Sequence, residues 1–569
     1  MRFLGLACDY DGTIAHHGVV DEGTIATLER LRASGRKLLL VTGRELDDLL
    51  SVFPRIDLFD RVVAENGALL YQPATKEEKP LGEPPPKEFI DRLRSAGVAP
   101  VSVGHVIVAT WQPHETTVLT LIRELGLELQ VIFNKGAVMV LPTGVNKASG
   151  LSVALDELAL SPHNMVAVGD AENDHAFLKI CECSVAVANA LPALKQRADI
   201  VTEQPHGAGV AELIEKLIAN DLREFEPALS RHNVLLGHDE NGGEIRVKPY
   251  GGNILVAGPS GTGKSTAAIG LLERLAECGY QFCLMDPEGD YEELAGAVVL
   301  GDSQRPASVN EILQLLRKPS QNALVKLYGL PLADRPAFFA SLLPQIEELR
   351  RATGRPHWLM VDEAHHLLPR TSDPAYSRVL QALTGMLLVT VHPESVAPAA
   401  LASVGVVIAI GEDPRRTFRG FGKALGVDVP AVEEHLSPGE ALVWFRSSGA
   451  APQRIKPEMA SIERRRHRRK YAEGELPPDR SFYFRGPEGK LNLRAQNLIV
   501  FMQMADGVDD ETWMHHLRRG DYSRWLREAV KDSWIADQIE SIEQQPDESA
   551  AESRAAIRKV IDDRYTAAA

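Results

Sequence analysis

Short hydrophobic runs recur along the first 222 residues, and amphipathic segments separate some of them. The runs typical of buried strands are Phe3–Cys8, Lys37–Thr42, Arg61–Ala64 and Met165–Val168. A helical pattern, Thr24–Ala33, lies between the first two. Strands that alternate with helices favour a parallel sheet with helices on its faces. The pattern therefore predicts an α/β, Rossmann-like core.

Residues 75–143 interrupt this alternation with two copies of a helix–strand–strand unit. The predicted helices are Lys87–Ser95 and His114–Leu125, and the predicted strands are Val101–Val103, Val106–Thr110, Leu127–Phe133 and Ala137–Leu141. The repeat predicts a small α+β cap, which the chain enters through a proline-rich segment. The core then comprises residues 1–74 and 144–222.

A second alternation of strands and helices occupies residues 230–457 and predicts a second α/β domain. Its predicted strands are Asn253–Ala257, Gln281–Met285, Trp358–Val361, Met386–Val391 and Val406–Ile410. Residues 458–479 contain the basic run Arg464–Lys470 and predict a linker. Residues 480–545 predict a short hairpin followed by a small, mostly helical domain. Residues 546–569 are rich in alanine and charge, and we expect a frayed tail there.

The composition favours a globular protein of several domains. A chain of 569 residues favours roughly three or four domains, and 44% apolar with 25% charged residues is typical of globular proteins. The net charge of -16 argues against a nucleic-acid coat. Five cysteines without a regular spacing, no signal peptide and no long apolar run predict a cytoplasmic protein with no membrane partner.

Polar residues follow the predicted strands of the first domain. Asp9 and Asp11 stand in Asp9-Tyr-Asp-Gly-Thr13, and Thr42 ends the second strand. Lys147 precedes a helix, and Asp170 follows the strand that begins at Met165. Because reacting groups collect at the carboxyl ends of parallel strands, we expect these side chains to meet at one edge of the sheet.

These four motifs, in this order, resemble those of the haloacid-dehalogenase superfamily. Further strings are similar to its Cof-type sugar-phosphatase branch, namely Glu65-Asn-Gly-Ala68, Val187-Ala-Asn-Ala190, Ala198-Asp199 and His206-Gly-Ala-Gly-Val210. The insert also stands where that branch carries its cap. The resemblance covers about residues 1–215 and implies a small phosphorylated metabolite as substrate, either a sugar phosphate or a compound like phosphoglycolate. Trp111, His114 and Lys135 are candidates for substrate contact in the cap, with plain surface as the alternative.

The residue types suit phosphoryl transfer. A carboxylate such as Asp9 can attack phosphorus and split one hard displacement into two easier ones. Asp11 can protonate the leaving oxygen and then deprotonate the attacking water. Lys147 and Thr42 would stabilise the transferring phosphoryl oxygens. An aspartate at position 9 favours phosphoester hydrolysis over dehalogenation, and the alternative is that these aspartates only cap helices and turns.

The same motifs predict a magnesium site, because Mg²⁺ prefers hard oxygen ligands. Asp9, the backbone carbonyl of Asp11 and Asp170 would bind the ion. Asp174 and Asn173 would orient those ligands.

A second phosphate motif follows the strand Asn253–Ala257 and opens a helix. It is a P-loop, whose backbone N–H groups would cradle the phosphates of ATP. Lys264 would reach the β and γ oxygens, and Ser265 would bind magnesium. Downstream, Asp362 fits the magnesium shell and Glu363 the water-activating base. The predicted ATP-binding residues are Gly258, Ser260, Gly261, Thr262, Gly263, Lys264, Ser265, Thr266 and Asp362.

The second domain resembles the HerA/FtsK class of pumping ATPases. The resemblance rests on the P-loop, Leu284–Tyr291, Asp362-Glu363, the strand that ends at His392, and Ser437–Leu442. It implies a RecA-like fold, a hexamer and translocation of DNA. The family often has Gln where His392 stands, and only the short segment Val234–Lys248 occupies the place of its β-barrel. Arg415 and Arg416 are candidates for an arginine finger, with surface arginines as the alternative.

Three hypotheses follow from the two sites. The first is a bifunctional phosphatase and ATPase. The second is a DNA-translocating motor with the phosphatase as an accessory effector, and the third is a phosphatase gated by a regulatory ATPase. The basic run Arg464–Lys470 could contact nucleic acid, with a solvated linker as the alternative.

Overall fold

The computed structural model describes residues 2–291, 294, 296–370, 380–381, 383–432, 435–460, 476, 480–530, 533–545 and 549–565. Two compact units are present. The first comprises Met1–Gly258 and Leu271–Pro457, and the second comprises Pro259–Gly270 and Glu458–Ala569. The basic run Arg464–Lys470 lies outside the described residues, so its role as a linker or a nucleic-acid contact stays a prediction.

The first 222 residues form a large sheet and a small one. The strands are β1 Gly5–Cys8, β2 Lys37–Val41, β3 Arg61–Ala64, β4 Leu69–Gln72, β5 Glu77–Pro80, β6 Ser102–Val103, β7 Val108–Trp111, β8 Leu129–Asn134, β9 Ala137–Pro142, β10 Met165–Gly169, β11 Cys183–Ala186 and β12 Ile200–Val201. The helices are α1 Glu22–Ala33, α2 Leu46–Val52, α3 Lys87–Ser95, α4 Glu115–Glu124, α5 Lys147–Glu157, α6 His175–Ile180, α7 Pro192–Lys195 and α8 His206–Asn220.

The large sheet has the strand order β12-β11-β10-β1-β2-β3-β4-β5. It is parallel from β12 to β3, and β4 and β5 add an antiparallel edge. Its central strands are buried on both faces, which is why they appear in the sequence as continuous apolar runs. The predicted α/β, Rossmann-like core is thereby confirmed. In register, β1 lies between β10 and β2, so the three strands end at the same edge.

The cap is the antiparallel sheet β6-β7-β9-β8 with the helices α3 and α4. Phe89 and Leu93 of α3 pack with Val118 of α4 and with Val138 and Val140 of β9 in a separate small core. This core is apolar at a helical spacing in α3 and at alternate positions in β9, the patterns that indicated these elements in the sequence.

A second large sheet lies in residues 234–457. Its strands are β13 Val234–His238, β14 Glu244–Val247, β15 Asn253–Ala257, β16 Phe282–Asp286, β17 Ala297–Leu300, β18 Asn322–Lys326, β19 Trp358–Val361, β20 Met386–Thr390, β21 Val404–Ile410, β22 Ala441–Phe445 and β23 Gln453–Pro457. Its helices are α9 Lys264–Glu277, α10 Val309–Leu316, α11 Arg335–Thr353, α12 Ala364–Leu367, α13 Pro398–Ala402 and α14 Pro414–Leu425.

The strand order of this sheet is β14-β13-β23-β22-β21-β15-β20-β19-β16-β18-β17. The strands from β21 to β17 are parallel, and β22, β23, β13 and β14 continue the sheet in antiparallel fashion. The segment Val234–Lys248 thus contains a hairpin, β13–β14, which extends the sheet through β23.

The second unit contains a hairpin and a group of helices. The elements are β24 Phe482–Phe484, β25 Leu493–Ala495, α15 Leu498–Gly507, α16 Asp510–Leu517, α17 Asp521–Trp525, α18 Ser533–Glu543 and α19 Ala550–Tyr565. The aromatic side chains of Phe484, Phe501, Trp513 and Tyr522 form the centre of its core.

The expectation of a frayed tail is wrong for residues 550–565, which form α19. Ile557 and Ile561, four residues apart, are buried in the same core, and Ser553 accepts a hydrogen bond from the indole of Trp513 at 3.0 Å. Two isoleucines at this spacing are enough to anchor a helix that is otherwise charged. No helix in the described part of the chain combines the length and hydropathy needed to cross a membrane.

Candidate active site

The carboxyl edge of the first sheet brings the predicted phosphatase residues together. Asp9 follows β1, Thr42 follows β2 and Asp170 follows β10, and all three side chains are buried. Lys147 is the first residue of α5, where Asn146 caps the helix by accepting hydrogen bonds from the N–H groups of Ala148 and Ser149. This N-cap at Asn146 fixes where the helix begins, and therefore the position from which Lys147 reaches the sheet.

Lys147 joins two carboxylates at the centre of the site. Its Nζ donates to Asp9 Oδ1 at 2.5 Å and to Asp174 Oδ1 at 2.7 Å, and its side chain is only 1% exposed. Burial alone would lower the pKa of Lys147, but the charges and hydrogen bonds of Asp174 and Asp9 outweigh burial and hold it above its ordinary value. The ammonium therefore stays charged and keeps both carboxylates in place.

Asp9 has an unusual electrostatic environment. Burial raises the pKa of its carboxyl group to about 7, and the charges of Asp174 and Asp170 act in the same direction, whereas Lys147 opposes them. Thr13 donates a hydrogen bond from its hydroxyl to Asp9 Oδ2 at 3.0 Å. Asp174 Oδ2 accepts from the N–H groups of Asp170 and Ala171 at 2.8 and 2.9 Å, so Asp174 shapes the loop that carries Asp170.

Asp11 is held by an arginine that the sequence did not single out. Arg44 donates from Nε and Nη2 to the two carboxylate oxygens of Asp11, at 2.6 and 2.7 Å, and from Nη1 to Asp48 at 2.6 Å. A bidentate pair of this kind fixes the orientation of the carboxylate. Arg44 is two residues after the predicted site residue Thr42, and this proximity is the sequence feature that could have identified Arg44 as a site residue.

The Glu65-Asn-Gly string has three separate roles in the geometry of the site. Glu65 is fully buried and accepts hydrogen bonds from the backbone of the cap at residues 105–107. Asn66 accepts from the amide of Asn173 at 2.9 Å. Gly67 has a φ of +105°, and a Cβ there would lie 1.9 Å from the carbonyl oxygen of Asn146. The segment Glu65–Gly67 thus holds the backbone of the cap through Glu65 and packs against the start of α5 through Gly67.

Gly12, in the loop after β1, contacts residues from two of the other motif segments, Asn189 and His206. Its carbonyl oxygen accepts from the amide of Asn189 at 2.8 Å and contacts Nδ1 of His206 at 3.0 Å. Its φ is +90°, and a Cβ there would lie 2.3 Å from Asp170 Oδ2. Only glycine fits this position without movement of Asp170.

The oxygen atoms at this edge fit a divalent cation. Carboxylate oxygens of Asp9, Asp170 and Asp174 lie within 4.8 Å of one another, and such hard donors suit Mg²⁺. A positive group already stands among these oxygens, because Lys135 Nζ lies 2.9 Å from the carbonyl oxygen of Asp11 and 2.8 Å from Asp170 Oδ2. Buried Asn173 Oδ1 has no hydrogen-bond partner within the described residues, so an acceptor is also available there.

A cavity of about 560 Å³ opens over these residues between the core and the cap. Its lining includes Asp9, Asp11, Arg44, Thr110, Trp111 and Lys135. Of the three cap candidates, Trp111 and Lys135 line the cavity, and His114 lies at the N-cap of α4. The volume is in the range of pockets for small molecules.

The predicted P-loop residues from Ser260 to Thr266 lie in the second unit. Gly261 and Gly263 have φ values of +80° and +93°, which glycine adopts without strain. Lys264 is buried, begins α9 and donates from Nζ to the carbonyl oxygen of Pro259 at 2.8 Å. Thr262 donates to the same oxygen at 2.9 Å. In this unit Ser260 is exposed, Ser265 is half-buried and Thr266 is buried.

The acidic residues of the second sheet lie in the first unit, where Gly258 follows β15 and Asp362 follows β19. Tyr291 donates from its hydroxyl to Asp362 Oδ2 at 2.6 Å. Asp286, at the end of β16, accepts from the N–H groups of Asp290 and Tyr291, and burial raises its pKa to about 7. Glu363 has a φ of +40°, a strained backbone that is common at functional sites.

The remaining candidates of the second domain are more exposed. His392 contacts Glu394 Oε1 at 3.3 Å, with its side chain half exposed. Arg415 pairs with Asp413 at 2.8 Å, and Arg416 is exposed. The arginine-finger and sensor roles stay predictions.

Comparison with known proteins bears on the first of these sites. A family model described as haloacid dehalogenase-like hydrolase matches residues 6–98 and 105–214. Phosphoglycolate phosphatase 2 of Saccharolobus solfataricus is 31% identical over 223 residues, which are 38% of this chain and 93% of that protein. The phosphoglycolate phosphatase of Methanothermobacter thermautotrophicus is 30% identical over 227 residues, 37% of this chain and 98% of that protein. A solved haloacid dehalogenase-like hydrolase from Bacteroides thetaiotaomicron is 19% identical, covers 38% of this chain and 99% of that chain, and has a TM-score of 0.33.

Proposed function

The chain belongs to the haloacid dehalogenase-like hydrolases, and from that premise we propose that it hydrolyses a phosphomonoester of a small metabolite with Asp9 as the nucleophile. The observation that carries the proposal is the buried Asp9–Lys147–Asp174 group at the carboxyl edge of the sheet. Two carboxylates and a charged lysine are costly to bury, and such groups are common at functional sites.

In this proposal each group has a role. Asp9 would attack phosphorus while Thr13 and Lys147 hold its two oxygens, and the bond from phosphorus to the leaving oxygen would break. Asp11, which lines the cavity beside Asp9, would in its protonated form give a proton to that oxygen and later take one from the water that hydrolyses the acyl phosphate. Thr42 would bind a phosphoryl oxygen.

Asp9, Asp170 and the carbonyl oxygen of Asp11 would hold Mg²⁺, with Asp174 orienting the loop of Asp170. The ion would offset the negative charge of the phosphoryl group.

The substrate we favour is phosphoglycolate or a similar small acid, and a sugar phosphate is the alternative. Both curated relatives described above are phosphoglycolate phosphatases, and the match spans nearly their whole length. Positive side chains of Lys135 and Arg44 line the cavity beside the nucleophile, which suits a substrate with a second negative group.

Replacement of the nucleophile tests the phosphatase proposal. Asp9→Asn should lower the hydrolysis of p-nitrophenyl phosphate and 2-phosphoglycolate by about a thousandfold or more, because the amide cannot form the acyl phosphate. Asp91→Asn, which changes an exposed aspartate on α3, serves as the matched control. Full activity in Asp9→Asn would refute the assignment.

A second candidate function is ATP binding and hydrolysis by the second domain. Its support is internal to each unit: a glycine-rich loop with a buried Lys264 at the start of α9, and a buried Asp362 followed by the strained Glu363. In this proposal Lys264 and Thr266 contact phosphate, and Ser265 binds Mg²⁺.

Nucleotide titration tests this second function. Lys264→Ala should abolish ATP binding in calorimetry and leave the hydrolysis of p-nitrophenyl phosphate intact. ATP turnover that rises with DNA, together with hexamers in sedimentation, would favour a translocating motor. Turnover that ignores DNA but changes the phosphatase rate would favour gating.

A further inference from the structure

Lys135 stands at the tip of the β8–β9 hairpin of the cap. The two turn residues, Lys135 and Gly136, have φ values of +49° and +89°, as in a tight two-residue hairpin whose backbone matches the twist of the strands. Such a short turn holds its side chains in a defined direction. From this tip the ammonium reaches the core, 2.8 Å from Asp170 Oδ2 and 2.9 Å from the carbonyl oxygen of Asp11.

These two oxygens are also assigned to the divalent ion. The ammonium and the ion cannot occupy the same point, so the ion has to displace Lys135. The charges favour this exchange, because within the described residues the carboxylates of Asp9, Asp170 and Asp174 form ion pairs with two single positive charges, those of Lys147 and Lys135. A divalent ion in place of Lys135 would, with Lys147, balance the three carboxylates.

The displaced ammonium has a limited range. It remains tethered to the hairpin tip, and its side chain, already 45% exposed, lines the cavity between the core and the cap. Arg44 is on the same wall but is already paired with Asp11 and Asp48. Lys135 is therefore the cation that becomes available to a ligand when the ion binds.

We propose that Lys135 selects substrates that carry a carboxylate beyond the phosphate, and that a divalent ion prepares it for this role by displacing its ammonium from Asp170 and the Asp11 carbonyl. The proposal rests on the proposed phosphatase function and names its substrate class. A substrate without the carboxylate leaves the displaced ammonium without an opposite charge to pair with, so it gains less on binding.

Metal titration without substrate tests the displacement. Calorimetry with Mg²⁺ and Mn²⁺ should show about fivefold or tighter binding to Lys135→Met than to the natural chain, because a competing cation has been removed. Lys135→Arg should keep the weaker binding, and Lys87→Met, at an exposed lysine of the cap, should match the natural chain. Equal or weaker metal binding by Lys135→Met would overturn the displacement.

Substrate discrimination tests the selection. We expect the ratio of kcat/KM for 2-phosphoglycolate to that for ethyl phosphate to fall at least about tenfold in Lys135→Met, mainly through KM, and to be largely restored in Lys135→Arg. An unchanged ratio would overturn the selectivity role. Failure of the natural chain to hydrolyse either compound would instead contradict the phosphatase function, and the metal titration would still decide the displacement.

Discussion

At the scale of single residues, the site depends on places where backbone and side chains approach closely. Gly67 lies against the carbonyl oxygen of Asn146, which caps α5, and α5 carries Lys147. A side chain at position 67 would therefore move the lysine that holds Asp9 and Asp174. The contact between Gly67 and Asn146 thus affects the position of Lys147 in the site.

Alanine substitution at Gly67 and at a second glycine should separate two contributions to the free energy of unfolding, the steric clash of a Cβ and the backbone strain of a positive φ. Gly35 has a similar backbone, with a φ of +88°, but open space around it. We expect Gly35→Ala to lower the free energy of unfolding by about 1 kcal/mol, whereas Gly67→Ala should lower it by clearly more, because its Cβ meets backbone. Urea denaturation measures both. Equal losses would show that the contact with Asn146 relaxes freely.

Arg44 should matter most for substrates that need an acid. In Arg44→Lys the bidentate hold on Asp11 is lost. We expect kcat for an alkyl phosphate to fall by about tenfold or more, and kcat for p-nitrophenyl phosphate to fall less, because nitrophenolate leaves without a proton. The comparison of the two rates is the measurement, and an equal fall would contradict the role given to Asp11.

At the scale of elements, apolar periodicity predicted the central strands and the cap. The helix Lys87–Ser95 and the strands Arg61–Ala64, Asn253–Ala257 and Trp358–Val361 have the predicted bounds. Periodicity did not predict β5, Glu77–Pro80, because all of its side chains are exposed and it exists only through pairing with β4.

Contacts between residues far apart in the chain also explain which interactions of the site the sequence did not predict. Three of the four motif positions, those of Asp9, Thr42 and Asp170, follow directly from the ends of predicted strands, and the position of Lys147 follows from the start of a predicted helix. Arg44 on Asp11 and Lys135 on Asp170 depend on contacts across the fold, which local patterns do not encode. The helix at residues 550–565 was missed for the same reason, because only the core around Trp513 gives Ile557 and Ile561 a partner.

Glu65 should act as the attachment of the cap to the core. Its two carboxylate oxygens accept from the N–H groups of His105, Val106 and Ile107, at 2.8, 2.7 and 2.9 Å. Glu65→Ala leaves these donors unpaired, and we expect a loss of about 3 kcal/mol or more in the free energy of unfolding. Hydrogen exchange should then quicken at residues 105–107. Unchanged exchange there would contradict this role, and Glu88→Ala on the surface of α3 is the control.

At the scale of the whole molecule, a buried polar group joins the two large sheets of the first unit. Glu182 accepts hydrogen bonds from Arg2 at 2.5 Å, His163 at 2.8 Å and Tyr280 at 2.6 Å. Nε2 of His163 also contacts the carbonyl oxygen of Cys278 at 2.6 Å. Residues of both α/β domains thus share one carboxylate, and we expect this interface to depend on its charge.

The pH dependence of stability should report on Glu182. Burial raises its pKa, but the hydrogen bond from His163 and the charges of Arg2 and the histidines outweigh burial and lower it to about 2. The unfolded value is about 4.3, so the contribution is present above that pH and is lost as the pH falls towards 2. We expect a loss of roughly 3 kcal/mol over this window.

Glu182→Gln should flatten that part of the pH profile, measured by denaturant unfolding between about pH 5 and 3. Glu224→Gln, at an exposed position of the same unit, should keep the profile of the natural chain. Parallel profiles for all three proteins would contradict the role of Glu182.

The central claim is that Asp9 forms a covalent bond to phosphorus. Rapid acid quench of the chain with Mg²⁺ and 2-phosphoglycolate, followed by borohydride reduction and peptide mass analysis, measures this directly. The account predicts an acyl phosphate, trapped as the reduced alcohol at position 9, that is absent without Mg²⁺ and absent in Asp9→Asn. Substrate turnover with no trapped adduct at position 9, or with the adduct on another residue, would contradict it.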